Sequence, residues 1–594
     1  MNTVWQYLPM FIRGRFKVSL LTLLVSCLTI TLADPSHARV DNYGNPIPKD
    51  SYAVIYDSGA MVFHPSANWS SPPSSKSGKY GIQISLPVCE NGLETDCISN
   101  LNYSNDSGKI IKGIFDSYLP ITWDGFYAGC DFNDCAPTTP PWKFSEGKVS
   151  TKADLQRRIP IGSKPSLWTF PGLRHSGGDK YLASFAIQGL MSNQSAPLDK
   201  GSIALWSGGA INIEITPVII ERNAEWESID PWAQSYAIPQ TGLWNESNLW
   251  CFSGEKSGNP YCLRRVTDNS ARTFELKAKL NYLAEAFASH AFMVSRTLGA
   301  RAVSKKTAGL LEVSFAGSTS PVSSAIGYLP RNEFGFREMV KATNKSYRES
   351  GVTNPQLDEN QLSGCDPKSK ENCIDFQNWI TNATGISEDG SAPGAIGSWS
   401  SYEKVIDFKP VRPSSVWFFR SAGILSTDFT WLTSCKKEIG VSGVISSNAT
   451  VMKPTPPVWN SQERSLDFKI GSPHLDESGK VASGFYNLAI SEAVAKCLWG
   501  KDVTAARATI SVINDAGEVK TFTSSMKVAN GYLNFQVSGF TYSVNKISIT
   551  FGKDSTPAMS SPTKLKSISC KKGKVTKVVS AKSPKCPKGY KKVT

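Results

Sequence analysis

The sequence predicts an all-β protein built from several β-sandwich (immunoglobulin-like) domains with local disulfides and a small basic C-terminal β element. Three observations predict it: apolar residues alternate with polar ones in many short segments, cysteines occur in close couples, and 46 glycines and 35 prolines punctuate the chain. Alternation with period two is typical of a strand with one face buried. The 594 residues are 40% hydrophobic and 19% charged, which favours folded domains over disorder. At roughly 100 to 200 residues a domain, the chain is too long for one core.

The N-terminus has the three parts of a signal peptide. Arg13, Arg15 and Lys17 precede an apolar stretch at 18–33, and small residues suited to cleavage follow at 36–38. We therefore expect residues 1–38 to be removed, which makes the mature protein secreted or bound to the cell surface.

Two alternatives remain for this segment. A retained membrane anchor needs about 20 apolar residues, more than this stretch supplies. A lipoprotein signal would instead be processed at Cys27, which ends a Leu24-Val25-Ser26-Cys27 sequence, although the apolar run continues past it.

Twelve cysteines remain after Cys27 is removed, an even number suited to an oxidising compartment. Pairing of sequence neighbours brings the least chain together, although spacing alone leaves the connectivity open. The predicted disulfides are Cys89 with Cys97, Cys130 with Cys135, Cys251 with Cys262, Cys365 with Cys373, Cys435 with Cys497, and Cys570 with Cys586. Zinc is the alternative, but only Cys130 and Cys135 approach the spacing of zinc ligands and no second such couple follows, so no metal is predicted.

The clearest alternation in the N-terminal half predicts five strands. They are Ile82, Ile84 and Leu86; Tyr181, Ala183, Phe185 and Ile187; Ile211, Ile213 and Ile215; Phe274, Leu276, Ala278 and Leu280; and Leu311, Val313 and Phe315. We predict a β-rich region with two sandwiches at 39–325 and an irregular β region at 326–457. The stretch at 283–298 fits either a strand extension or a short helix.

Residues 458–553 form the clearest predicted sandwich. Five alternating segments lie here: Leu466, Phe468 and Ile470; Tyr486, Leu488 and Ile490; Ala508, Ile510 and Val512; Leu533, Phe535 and Val537; and Ile547, Ile549 and Phe551. Asn530-Gly531 predicts a type I′ hairpin turn, and Asp515-Ala516-Gly517 predicts a second turn. A helical turn is expected at 491–497, and the prolines at 454–457 mark the preceding boundary.

From Leu466 onward the chain resembles a module of large exported proteins of actinobacterial type. The resemblance is carried by LDFKIGSPHLDESGKVASGFYNLAISEAVAKCLWG, ATISVINDAG and NGYLNFQVSGFTYS, and the end of the chain, CKKGKVTKVVSAKSPKCPKGYKK, is similar to a lysine-rich element on such proteins. It implies an exported or cell-surface role and supplies no catalytic residues.

Positive charge is concentrated in a tail at 554–594. The chain has a net charge of +14, and from Ser555 onward the tail contains eleven lysines and no acidic residue. The body between the signal peptide and the tail is therefore close to neutral. The predicted partners are anionic cell-envelope polymers, and the alternative is a tail that is merely solvated. Nucleic acid is not expected, because Tyr590 is the only aromatic residue available for stacking and arginine is absent from the tail.

No catalytic constellation emerges from the sequence. The predicted mature chain has scattered histidines at His64, His175, His290 and His474, and it lacks a G-x-S-x-G elbow, a phosphate-binding loop and an H-E-x-x-H motif. We predict no catalytic residue, no cofactor and no metal ligand.

Two aromatic groupings leave carbohydrate binding open. One lies at the Cys130 to Cys135 loop and could bind calcium or stack on a sugar: Asp124, Asp131 and Asp134 beside Trp123, Phe126 and Tyr127. A polar disulfide loop beside core aromatic residues is a simpler interpretation than either site. A second grouping could form a platform for a sugar: Trp417, Phe418 and Phe419, with Trp431 nearby. Consecutive residues of a strand point to opposite faces, however, which favours core packing.

These observations predict an exported, non-enzymatic surface protein that acts as a scaffold, adhesin or ligand-binding surface, with the basic tail contacting the envelope. The alternative is a secreted carbohydrate-binding protein or a polysaccharide-acting hydrolase, since hydrolysis needs only two carboxylates that the fold brings together.

Overall fold

Strands dominate the residues that the structure describes, and the predicted all-β class is confirmed. The computed structural model describes residues 48, 51–56, 79–90, 93–118, 160–163, 165–192, 211–222, 249–252, 261–266, 268, 270–284, 287, 292–330, 332–350, 395–422, 430–435, 440–453, 455–500, 503, 507–514, 517–523, 526–542, 545–552, 566–572, 575–581 and 591–593. The predicted signal peptide lies outside these residues.

The first half of the described chain is almost entirely strand. In chain order it contains β1 Ser51–Tyr56, β2 Lys79–Ser85, β3 Cys97–Ser104, β4 Ile110–Lys112, β5 Ile114–Tyr118, β6 Ser166–Thr169, β7 Tyr181–Ser192, β8 Ile211–Arg222, β9 Leu249–Phe252, β10 Tyr261–Arg265, β11 Thr273–Leu280, β12 Phe292–Ser295, β13 Leu298–Thr307, β14 Leu310–Ser318 and β15 Ser320–Pro330.

The second half adds helices between strands. It contains α1 Glu333–Ser350, α2 Ala395–Tyr402, β16 Lys409–Ser421, α3 Thr430–Cys435, β17 Gly443–Ser447, β18 Val451–Met452, β19 Val458–Asn460, β20 Ser465–Gly471, β21 Ser483–Ser491, α4 Glu492–Trp499, β22 Arg507–Asn514, β23 Val519–Thr523, β24 Lys527–Ala529, β25 Tyr532–Thr541, β26 Asn545–Gly552, β27 Lys566–Lys572, β28 Val575–Ala581 and β29 Lys591–Val593.

One fifteen-stranded sheet runs through the body. Its longest path has the order β24-β25-β21-β17-β12-β16-β8-β7-β6-β5, and β1, β2, β9, β10 and β15 join it at the sides. Its neighbours pair antiparallel except β12 and β17, which are parallel. The sheet therefore joins strands from the start of the chain to strands of the predicted C-terminal sandwich.

A five-stranded sheet of order β13-β14-β11-β3-β4 forms the first sandwich with this large sheet. Phe315 of β14 lies 5.9 Å from Phe185 of β7 and 5.3 Å from Phe419 of β16, measured between ring centroids. The indole of Trp417 donates a hydrogen bond to the Gly317 carbonyl at 3.0 Å. Because these aromatic rings are buried between two sheets, the region packs as a sandwich core.

A six-stranded sheet of order β18-β20-β26-β22-β23, with β19 beside β20, forms a second sandwich. Phe468 and Ile549 from this sheet pack against Tyr486 and Phe535 from β21 and β25 of the large sheet. All five strands predicted within 458–553 are present, and the apolar positions that predicted them lie on the core face. The predicted boundary at 454–457 falls between β18 and β19, which both pair with β20.

The strands β12, β17 and β21 are buried on both faces. Met293, Val444 and Ala489 belong to the core under the five-stranded sheet, whereas Phe292 and Ile445 belong to the core under the six-stranded sheet. The two sandwiches therefore lie on opposite faces of the large sheet where these three strands run, and the middle of the body has three layers.

Three helices within 326–457 were not expected from the sequence, and two of them, α1 and α2, pack on β1 and β15. Helix α1 begins after Asn332, whose side chain accepts a hydrogen bond from the Gly335 amide at 3.0 Å, an N-cap contact. Helix α2 stacks Trp399 on Phe408 with a 4.6 Å centroid distance. Together they bury the outer face of β1 and β15, where Tyr56 is fully buried.

Local predictions in the second sandwich are confirmed. Asn530 and Gly531 have φ angles of 51° and 76°, the positive pair of a type I′ turn, and they join β24 to β25. The turn at Gly517 also has a positive φ of 77°. The expected helical turn is α4, which Ser491 caps by accepting a hydrogen bond from the Val494 amide at 3.4 Å.

Two of the predicted disulfides are formed. Cys89 and Cys97 close a loop with a sequence separation of 8, and Cys435 and Cys497 join α3 to α4 with a separation of 62. The second bridge connects the segment before β17 to the segment after β21. Both strands belong to the layer that lies between the two sandwiches.

Removal of the longer bridge is expected to destabilise the protein more. In the chain-entropy model a closed loop of this length contributes about 4 kcal/mol, against about 2.5 kcal/mol for the Cys89 to Cys97 loop. The Cys435→Ala/Cys497→Ala variant should therefore unfold at a lower denaturant concentration than Cys89→Ala/Cys97→Ala, with circular dichroism as the measurement. An equal loss of stability in the two variants would contradict this expectation.

Candidate functional site

The remaining predicted cysteines are placed only in part. The backbone register sets Cys251 of β9 directly opposite Cys262 of β10, a placement that agrees with the predicted pairing. Cys570 lies in β27. The other predicted partners lie outside the described residues: Cys130, Cys135, Cys365, Cys373 and Cys586. The pairs that contain them stay predictions.

The lysine-rich tail folds as a three-stranded sheet of order β28-β27-β29. The register places Lys571 of β27 opposite Lys591 of β29. Cys570, the neighbour of Lys571, lies opposite Lys577 of β28 on one side and Lys592 of β29 on the other. Each of the three strands therefore brings lysines to one small sheet.

This register is electrostatically unfavourable for the tail in isolation. Residues directly opposite in an antiparallel pair have Cβ atoms about 5 Å apart, and like charges in such positions are destabilising. From Ser555 onward the tail has no acidic residue that could neutralise them. An external anion that contacts the sheet would relieve this repulsion.

His175 forms a structural network and not a catalytic one. The Gly177 amide donates to its Nδ1 at 3.1 Å, so the proton lies on Nε2, which donates to the Lys180 carbonyl at 2.9 Å. Both ring nitrogens are used to hold the turn before β7. Tyr181, at the start of β7, packs edge-on against the imidazole at 5.2 Å.

A buried arginine continues this network. Arg272 donates to the Tyr181 hydroxyl at 2.9 Å and to the Arg174 carbonyl at 2.8 Å, and its guanidinium lies 2.5 Å from the Asp268 carboxylate. The Asp268 carboxylate accepts hydrogen bonds from Ser270 and from Arg272, which hold its pKa below its usual value despite burial. The groups bind each other and connect the turn to the segment before β11.

The other predicted candidates divide between the core and the undescribed chain. Trp417 and Phe419 are fully buried, and Phe418 and Trp431 are nearly so, which confirms core packing. His474 is exposed at a turn and contacts the Tyr542 carbonyl through Nδ1 at 3.0 Å. His64, His290 and the loop with Asp124, Asp131 and Asp134 lie outside the described residues.

Asp96 is a buried carboxylate that sequence reasoning did not single out. It accepts backbone hydrogen bonds from Asn281, Tyr282 and Leu283 at 3.0 to 3.1 Å, and so holds the turn that follows β11. Burial raises the pKa of its carboxyl, against the effect of these hydrogen bonds. No group of three or more histidine, cysteine or acidic side chains suited to a metal ion occurs in the part of the chain that the structure describes.

A cleft on the six-stranded sheet was also missed. It has a volume of about 270 Å³, and Lys453, Lys469, Lys546 and Asp467 contribute to its lining. These residues are spread over nearly a hundred positions in the sequence. Only the pairing of β20 with β26 brings Lys469 next to Lys546.

No family model matches the chain, and no curated protein matches it. Among the described residues, no helix combines the length and apolar composition needed to cross a bilayer.

The network around His175 predicts a pH dependence of stability. Burial lowers the pKa of its imidazole in the folded state, and the hydrogen bond to the Lys180 carbonyl opposes this only in part. Because the unfolded value is about 6.5, the unfolded chain binds the proton more tightly. The stability due to neutral His175 is therefore complete above that pH and is lost as the pH falls through it.

We expect the unfolding midpoint of the native protein to fall more between pH 7.5 and pH 5 than that of His175→Gln. His474→Gln, at an exposed position, is the matched control and should follow the native protein. Differential scanning fluorimetry gives the midpoints. Parallel curves for the native protein and His175→Gln would contradict this role.

Proposed function

We propose that this chain is an exported, non-enzymatic protein of the cell surface whose lysine-rich tail contacts anionic polymers of the envelope. Its body then serves as a scaffold, adhesin or ligand-binding surface. The observation that carries the proposal is the register of the tail sheet, which sets Lys571 opposite Lys591 in a segment without acidic residues.

The electrostatics of the tail favour a polymeric anion. A cluster of one sign of charge raises the local concentration of the opposite sign and accelerates association. Lysines on three adjacent strands extend over about 10 Å, since neighbouring strands lie 4.7 to 4.9 Å apart. A polymer with regularly spaced phosphates or carboxylates can contact several of them together, and each contact weakens as salt is added.

The body supports a structural role outside the cytosol. Its two formed disulfides are typical of proteins from oxidising compartments. The buried carboxylate of Asp96 is held by backbone amides and the partly buried carboxylate of Asp268 is held by Arg272, which are stabilising roles. The shared large sheet links the start of the chain to its last sandwich, a property suited to a scaffold.

The proposal predicts that binding depends on the position of the lysines in the tail, and not only on the total charge of the protein. A variant with Lys571, Lys577, Lys591 and Lys592 changed to Gln should bind poly(glycerol phosphate) beads at least about tenfold more weakly at 50 mM salt, because a lysine near an anionic surface contributes ~1 kcal/mol. The matched control changes four exposed lysines of the body to Gln: Lys305, Lys306, Lys520 and Lys527.

Sedimentation with the beads over a series of salt concentrations measures both variants. The control should retain near-native binding and a steep salt dependence, whereas the tail variant should lose both. Equal weakening in the two variants, or no binding by the native protein, would refute the tail as the contact surface. Fractionation of cells that produce each variant then tests retention at the surface.

A further inference from the structure

One chain segment, residues 110–118, forms an edge of both sheets of the first sandwich. It pairs with β3 as β4 and, after Gly113, with β6 as β5. The Gly113 amide donates to the Leu101 carbonyl at 2.7 Å, and a Cβ at Gly113 would lie 3.0 Å from the Phe170 ring, so glycine lets the segment pass closely from one sheet to the other. In the described part of the chain, β4 and β5 each have a neighbouring strand on one side and none on the other.

The inward side of this 110–118 edge is fixed by aromatic packing. Phe115 lies 5.7 Å from Trp168 and 4.9 Å from Tyr118, measured between ring centroids. The Tyr118 hydroxyl accepts a hydrogen bond from the Val88 amide at 2.9 Å. Because successive side chains of a strand alternate between its two sides, this packing turns the even-numbered positions from 110 to 116 outward.

Apolar and charged side chains alternate on the outward side of the edge. Ile110 and Ile114 are 66% and 56% exposed, and they are among the three most exposed large apolar side chains of the described residues. Each is followed two positions later by an exposed charged residue, Lys112 and Asp116, respectively. The outward pattern is therefore apolar, cationic, apolar and anionic.

This pattern is complementary to itself when two copies lie antiparallel. A two-fold axis at Ile114 sets that residue opposite Ile114 of the second copy, and it sets Lys112 of each copy opposite Asp116 of the other. Opposite charges directly across an antiparallel pair stabilise the pair, whereas like charges destabilise it. We propose that two copies of this chain associate through their 110–118 edges, by antiparallel pairing centred on Ile114.

Asp116 would be shared between two lysines in this dimer. It already contacts Lys180 Nζ at 2.9 Å, and Ser117 Oγ donates to its second oxygen at 3.3 Å. A carboxylate has about four lone-pair sites, so it can accept Lys112 of a second copy as a further donor. The register between β5 and β6 shifts between Phe115 and Ser117, which leaves Asp116 without a partner residue in β6. Asp116 is therefore on the outward side of a bulge.

Other edges of the sheets lack this complementarity. Strand β13, at the end of the five-stranded sheet, contains three cationic residues and no acidic one. Strands β23 and β24 end the two sheets of the second sandwich, and residues 519–529 contain Lys520 and Lys527 but no acidic residue. Cations on an edge strand prevent its pairing with another copy. The 110–118 edge differs because it has one charge of each sign at alternate outward positions.

We expect a weak and reversible dimer. A single edge strand from each copy buries much less than the roughly 1,600 Å² of a typical stable interface. The contact does not involve the lysine-rich tail, so the dimer and the proposed function can fail separately.

Analytical ultracentrifugation of the full-length protein over a range of concentrations tests the proposal. Lys112→Asp and Asp116→Lys each place like charges across both contacts, and each should weaken the dimer about tenfold or more. An equimolar mixture of these two variants should associate as well as the native protein, because every contact then joins an acid to a lysine. The double variant Lys112→Asp/Asp116→Lys should dimerise for the same reason.

Two control variants separate this contact from other effects. Lys180→Gln removes the internal partner of Asp116 but keeps both outward charges, so it should dimerise at least as well as the native protein. Ile114→Ser should weaken the dimer, whereas Val519→Ser, at a valine that is 57% exposed on another edge, should leave it unchanged. Circular dichroism checks that each variant is folded.

Disulfide trapping locates the two-fold axis. Ile114→Cys should form a disulfide between copies under mild oxidation, because the axis brings the two Cβ atoms within about 5.5 Å of each other. Ile110→Cys is the matched control. Its position is more exposed, but in the dimer it lies opposite Tyr118 of the second copy, so it should not form this cross-link.

Three results would refute the pairing. They are a native protein that stays monomeric at its highest soluble concentration, a mixture of the two charge variants that associates no better than either variant alone, and equal cross-linking at positions 110 and 114. The first result would show that the bulge in β5 protects this edge from other strands.

Discussion

The architecture depends on three strands that have no solvent-exposed face. Along β12, consecutive residues alternate between two hydrophobic cores: Phe292 and Val294 enter one, and Met293 enters the other. Such strands bury side chains on both sides, and at some positions they leave no space for a side chain. A Cβ at Gly443 of β17 would lie 2.6 Å from the Phe292 ring and 2.8 Å from the Ala489 carbonyl, so only glycine fits. The two sandwiches are thus built on one shared layer.

The sequence predicts the one-faced strands well and the two-faced strands poorly. Period-two alternation identifies β11 and β14 because their alternate positions are buried and exposed in turn. The same signal in β21 identifies Tyr486, Leu488 and Ile490 but conceals that Ala489 between them enters the other core. Alternation along one strand indicates that one face is buried, but it does not indicate which part of the chain covers the other face. The local sequence pattern therefore cannot predict which distant segments join one sheet.

The candidate sites show the same limit: the sequence gives the composition of a site, but only strand pairing shows which of its residues lie together. Eleven lysines in the tail are evident from the sequence, whereas the opposition of Lys571 and Lys591 requires the strand register. The cleft is harder still to predict, because Lys453, Lys469 and Lys546 are ordinary isolated lysines in the sequence. His175 stands out in the sequence only as one of few histidines. Its structural role depends on Arg272, about a hundred residues away, whose contacts with Tyr181 and Arg174 complete the network.

The two lysine clusters differ in the kind of recognition their surroundings allow. The tail sheet brings lysines of three strands together, so we expect it to attract a flexible polyanion through a salt-sensitive field. The cleft has a carboxylate fixed beside its lysines, because Ser465, Ser548 and Lys546 hold Asp467 in place.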